Sequence, residues 1–217
     1  DANKKNSGIQ KIILSISLKK KLIALDIGAQ GGFNADCSFE AKYNNYFNPI
    51  LIEPNYAEAE KLRKNNAIVI EKGLWSKDCN RKLYITKSTG GSSMYKPSED
   101  GLRLYLNNED YIKRYDIIKT VNIECTTISN SLNNLKIESL DYLKIDVQGA
   151  EYEVLRGIGN YKPLIMKIEM HLYRNLFWQA SSVEEADDIE KLGIAVDGKT
   201  IIAPDLVFGK KPVSVPT

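Results

Sequence analysis

One histidine and three cysteines are all that the chain offers of the softer metal-binding and nucleophilic side chains. Cys37, Cys79 and Cys125 are odd in number and far apart, with no C-x-x-C pair. That excludes a zinc site readable from spacing and points to a reducing, cytoplasmic setting. Long hydrophobic runs are missing as well. The longest, residues 12–18, holds two serines and falls far short of the ~18 residues that span a bilayer. Nor is there an excess of one charge: 30 Lys and Arg against 28 Asp and Glu leave +2, which argues against a dedicated nucleic-acid binder. What remains is ordinary globular composition, 43% hydrophobic and 27% charged over 217 residues. Such a chain buries roughly 70% of its extended surface and needs no disulfide or metal staple. The first residue is Asp1 rather than methionine, as expected of a segment cut from a longer protein, and no signal peptide is visible.

Residues 1–21 form a basic segment with six lysines against one aspartate, expected to be a solvated helix or strand. The rhythm from 22 to 217 reads as one domain. Short apolar runs at 22–27, 49–53, 67–71, 142–147 and 164–169 read as buried strands, and 36–44, 56–65 and 150–158 as helices between them. Strands alternating with helices predict an α/β, Rossmann-like, doubly wound and mostly parallel sheet. Two regions depart from it. Residues 73–126 read as an insertion over the sheet edge, with extended pieces at 82–86 and 121–128 and a Tyr-rich helical stretch at 100–115. The tail reads as an acidic helix at 183–192, then strands at 195–196, 201–202 and 205–208 that give the sheet an antiparallel C-terminal end.

The first chemical motif is Asp26-Ile27-Gly28-Ala29-Gln30-Gly31, a strand entering a glycine turn. A dinucleotide fingerprint needs a glycine where Ala29 or Gln30 stands, so that a pyrophosphate can approach the backbone. A carboxylate at Asp26 would repel that pyrophosphate and pair with an ammonium group. D-x-G-x-x-G therefore favours S-adenosylmethionine, whose methionyl end carries an amine and a sulfonium. Glu53 ends the next strand 27 residues on, near the spacing of a ribose-binding acid, where two hydroxyls can donate to one carboxylate.

The third motif runs Asp141-Tyr142-Leu143-Lys144-Ile145-Asp146-Val147-Gln148-Gly149-Ala150-Glu151. Lys144 and Asp146 alternate on one strand and share a face. Lys144 reads equally as a structural partner of a carboxylate and as part of the reaction centre. Asp146 sits at the strand's carboxyl end, and Glu151 falls in the first turn of the next helix, where its charge suits the helix dipole. His171, the one histidine, follows Glu169 at the end of a strand and suits a general base. The candidate catalytic set is Asp146, His171, Lys144 and Glu169. Asp146, Glu169 and His171 would also suit Mg²⁺ or Mn²⁺, but their spacing demands no metal and none is expected. Tyr105, Tyr111, Tyr115, Trp75 and Trp178 are either core packing or stacking surfaces for a sugar.

Taken in order over residues 22–170, L-D-I-G-A-Q-G-G-F, I-E-P-N, G-L-W-S-K-D, G-G-S-S and D-Y-L-K-I-D-V-Q-G-A-E-Y-E-V-L-R-G resemble the FkbM-type methyltransferases. The resemblance implies a class I methyltransferase fold and S-adenosylmethionine-dependent O-methylation of a hydroxyl on a saccharide, glycan or related natural product. It implies cofactor contacts from Asp26, Gly28, Gln30, Gly31, Glu53, Pro54, Asn55, Gly73, Leu74, Ser92, Ser93 and Asp146. At Gln148 many relatives carry Glu. Two other readings remain: a non-catalytic glycan-binding or scaffold domain of methyltransferase descent, and an NAD-dependent oxidoreductase, against which Ala29 and Asp26 count. Fold alone does not choose among them.

Overall fold

The computed structural model describes residues 20–169, apart from 66 and 107, together with 195–196 and 201–202. His171, Trp178, residues 1–19, the stretch 183–192 and the strand expected at 205–208 lie outside the described residues, as does the Tyr105 side chain.

In chain order the elements are β1 (Leu22–Ile27), β2 (Phe47–Ile52), α1 (Tyr56–Arg63), β3 (Ile68–Ile70), β4 (Gly73–Leu74), β5 (Cys79–Thr86), α2 (Glu99–Tyr105), α3 (Glu109–Ile112), β6 (Ile117–Thr126), α4 (Ile128–Asn134), β7 (Tyr142–Ile145), α5 (Glu151–Arg156), β8 (Ile165–Ile168), β9 (Ala195–Val196) and β10 (Ile201–Ile202). The central sheet has the order β3-β2-β1-β7-β8, and all of its pairs are parallel. The chain is α/β with helices on both faces of this sheet.

Register explains the layering. Leu25, Ile50, Leu143 and Met166 form one row across the strands, and Ile27, Ile52, Ile145 and Ile168 form another. Both rows face Ile128 and Leu132 of α4 and Val154 and Leu155 of α5, making a core mostly of Leu, Ile and Val. The opposite face is aromatic near the strand starts, where Phe39, Tyr43, Phe47 and Tyr142 pack together with Phe33. Farther along, Leu51 meets Ala29 and Leu62 of α1. In direct register with Leu51, the same face carries a charged row, Asp26, Lys144 and Lys167.

Residues 73–126 build a separate sheet of order β4-β6-β5, antiparallel between β5 and β6. It packs through Trp75, Leu83, Ile85, Met94 and Cys125 against Ala150, just beyond the end of β7. β9 and β10 pair antiparallel with each other and are hydrogen-bonded to neither larger sheet among the described residues.

Three expectations change. The helix expected at 36–44 is a loop followed by a 3-10 turn, Ala41–Tyr46. Asn34 and Cys37 take positive φ of 58° and 53°, and the Asp36 carboxylate accepts from both the backbone and the hydroxyl of Ser38; neither is compatible with an α-helix. The extended piece expected at 121–128 ends at Thr126, because Thr127 caps α4 by accepting from the Asn130 N–H. The helix expected at 100–115 breaks into α2 and α3, each with its own side-chain cap, Ser98 and Asn108. No helix among the described residues is long and apolar enough to cross a membrane.

Leu143 lies in the middle strand pairing and is fully buried. Leu143→Ala should lower unfolding free energy by about 2–5 kcal/mol, measured as a reduced urea midpoint with unchanged slope.

Candidate functional site

From β1 the chain moves outward through β2 and β3, then returns to place β7 on the other side of β1. Such a switch point opens a crevice at the carboxyl ends of the strands, and a cavity of about 300 Å³ lies there. Its walls come from the ends of β1, β2 and β7, the start of α1 and the 89–94 segment of the insertion.

Gly28 makes this junction possible. Its φ is +78°, and a Cβ there would fall 1.9 Å from the Asp146 carbonyl oxygen. The N–H groups of Gly28 and Ala29 both donate to the Ile52 carbonyl, fastening the turn to β2. Immediately after β2, Glu53 is 6% exposed. Its Oε1 accepts from the Asn55 N–H at 2.8 Å, and its Oε2 has no hydrogen bond among the described residues. Burial pushes this carboxyl up to about 7, against the pull of the Asn55 N–H. Pro54 and Asn55 line the cavity beside it, and the Asn55 side chain caps α1.

Across the cavity, the Asp146 Oδ1 accepts from the Gln148 amide at 2.7 Å, while Oδ2 lies 3.8 Å from the Lys144 ammonium. Burial raises the Asp146 carboxyl to about 6, with Lys144 opposing and Glu169 reinforcing. Lys144 Nζ reaches Asp26 Oδ1 at 3.2 Å. Burial pulls the Lys144 ammonium down, but the charges of Asp26, Asp146 and Asp36 outweigh it and hold the group above its ordinary value. Asp26 itself is 1% exposed and does not line the cavity. Burial raises its carboxyl and Lys144 resists; its Oδ2 is buried without a partner.

The insertion supplies the roof. Ser93 donates its hydroxyl to the Gln148 carbonyl at 2.7 Å and accepts from the Tyr95 N–H at 3.0 Å. Ser92 Oγ accepts from the Thr86 N–H. The Gln30 amide donates to the Thr89 hydroxyl, joining the turn after β1 to the insertion. Gly73 and Leu74 complete that wall. Gly31 shapes the turn with φ +83° and is not on the wall. Gln148 holds φ at +57°, which costs a non-glycine residue about 1–2 kcal/mol.

Not every candidate meets at the cavity. The Glu169 N–H donates to the Ile145 carbonyl, but the residue is exposed and acts on Asp146 only through its charge. His171 lies outside the described residues. Trp75 is buried under the Arg81 guanidinium at 3.9 Å, and Tyr111 packs on Tyr115; none of these rings lines the cavity. Two charged wall residues were not expected from the sequence. Asp36 is on the cavity wall, paired with Lys167, and Glu58 is there too, paired with Lys61. Lys167 carried a signal in retrospect, since it extends the row of Asp26 and Lys144 onto β8.

Among the charged residues on the wall, Asp36, Glu53, Glu58 and Asp146 stand against Lys144 alone. An acid-rich cavity with a free carboxylate oxygen at the end of β2 fits a cationic nucleoside and opposes a diphosphate. No cluster of three metal-ligating side chains occurs among the described residues.

A family model described as the methyltransferase FkbM domain matches residues 26–193. No curated protein and no solved structure matches the chain.

Removing the ammonium should expose the cost of the buried pair. Lys144→Met is expected to destabilise the fold by about 3–5 kcal/mol at neutral pH, and adding Asp26→Asn to restore most of the loss. Equilibrium denaturation of the two variants checks this; a double variant no more stable than Lys144→Met would refute the pairing energetics.

Proposed function

The chain belongs to the FkbM methyltransferase family, and from that premise we propose that it is an S-adenosylmethionine-dependent O-methyltransferase acting on a hydroxyl of a saccharide, glycan or related natural product. The observation that carries the reading is the placement of Glu53 and Asp146 on opposite sides of one acid-rich cavity at the switch point of the sheet.

Glu53 is suited to accept from ribose hydroxyls, a reading supported by its one oxygen without a hydrogen bond among the described residues and the other fixed by the Asn55 N–H. Gly28, Gln30, Pro54, Asn55, Gly73 and Leu74 shape the surrounding wall. Lys144 and the Ser92 hydroxyl suit the cofactor's carboxylate, and Asp36 and Asp146 its cationic groups. When bound, the cofactor supplies a methyl group on a sulfonium, an electrophile that needs no further activation.

The chain then has to orient an acceptor hydroxyl and take its proton. Asp146 is suited to that task. Burial brings it nearer neutrality, and Gln148 fixes one of its oxygens. Lys144 keeps its proton and is not the base; its charge opposes build-up of negative charge between Asp146 and the acceptor oxygen. Much of the rate would come from positioning. A polyhydroxylated acceptor suits walls of carboxylates and amides, where diols can donate in pairs.

The decisive experiment is calorimetric titration with S-adenosylhomocysteine, with NAD as control. Binding of the first alone is expected, and Glu53→Ala should abolish it. Saturable NAD binding instead would favour the oxidoreductase; cofactor binding without turnover on any glycan pool would favour the non-catalytic domain.

A pH series adds a sharper expectation. Ribose hydroxyls donate to the ionised form of Glu53, whose free-state value is about 7. Roughly a tenth is ionised at pH 6 and nine-tenths at pH 8. Affinity should therefore rise about tenfold across that window and be weaker and flatter in Glu53→Gln.

A further inference from the structure

Glu151, the first residue of α5, has no exposed surface and does not line the cavity. It makes no salt bridge among the described residues; instead it bonds backbone. Its Oε1 accepts from the Val147 N–H at 3.1 Å, and its two oxygens accept from the Gly149 N–H at 3.2 and 3.0 Å. The enclosed turn is the strained one, with Gln148 at φ +57° and Gly149 at +101°. That turn has two outputs. The Gln148 side chain donates to Asp146, and the Gln148 carbonyl receives the Ser93 hydroxyl from the insertion.

A helix start would be capped by any short polar residue, so capping alone does not explain a carboxylate sunk out of solvent. Holding two N–H groups on either side of Gln148 does, because it leaves the turn one conformation. We propose that Glu151 is a positioning residue: its carboxylate clamps the Val147 and Gly149 N–H groups and thereby sets the Gln148 amide that orients Asp146. Burial, with a smaller push from the Asp146 charge, raises this carboxyl to about 7, while its own N–H and those of Gly149 and Val147 pull it back, as expected of a group held by backbone donors and not by a cation. The proposal rests on the reading of Asp146 as part of the cofactor and acceptor site.

The test is the full chain carrying Glu151→Gln, which keeps the size but leaves one accepting oxygen in place of two and sets an NH₂ group against the Gly149 N–H. Val154→Ala on the same helix, fully buried, serves as the control that loses stability without touching the turn. S-adenosylhomocysteine affinity should fall at least about tenfold in Glu151→Gln and stay within twofold of wild type in Val154→Ala. Equal affinities in Glu151→Gln and wild type, or equal losses in the two variants, would overturn the proposal. Should wild type bind no S-adenosylhomocysteine, the cofactor reading fails and the amide NMR signal of Gly149 decides the clamp alone. An upfield shift in Glu151→Gln supports it, and an unmoved signal refutes it. Should Glu151→Gln fail to fold, hydrogen exchange in wild type decides: slow exchange at both Val147 and Gly149 supports the clamp, and exchange at unprotected rates refutes it.

Discussion

Everything at the open end of the sheet depends on how closely β1 and β7 meet beyond their last paired residues. Gly28 lies so near the Asp146 carbonyl that no side chain fits between them. Because the chain there adopts positive φ and turns onto the Ile52 carbonyl, the ends of β1, β2 and β7 stay level and Glu53 and Asp146 face one space. A residue with a Cβ at 28 would have to push β7 away, and the cavity would lose its geometry before it lost any of its polar groups. The glycine that the sequence presents as a ligand contact is first of all a condition of strand packing.

Charge supplies the second constraint. A single lysine, Lys144, answers Asp26 below and Asp146 above, and the Asp36 charge acts on it as well. Burying that many ionisable groups is costly unless they are paired, and Asp26 Oδ2 remains buried with no partner. The arrangement makes sense as a field. A wall on which carboxylates outnumber the one ammonium favours a positively charged ligand over a diphosphate.

The central strands were legible because each is a short apolar run buried on both faces, and their placement needs only period and length. Glu53 and Asp146 were legible because each immediately follows such a run. The helix expected at 36–44 was not found, because Asn34, Cys37 and the Asp36–Ser38 turn hold the chain as a loop there. Asp36 was therefore read as a helix residue and not as part of the wall. Lys167 was missed for a different reason: its place beside Lys144 is a matter of inter-strand register, which no single segment records. The aromatic residues were ambiguous by nature, and Trp75 went to the packing of the insertion under Arg81.

The insertion belongs to the site because of two hydrogen bonds. Ser93 ties it to the turn after β7 and Thr89 to the turn after β1, so the roof is anchored to the same two strand ends that form the floor. Gln148 is the joint. Its carbonyl receives the insertion, its amide holds Asp146, and its strained backbone is enclosed by Glu151. A residue in an unfavourable conformation persists only where its surroundings over-determine it, and here three separate parts of the chain do so. The strain at Gln148 is thus the cost of joining the floor, the roof and the Asp146 carboxylate at one residue.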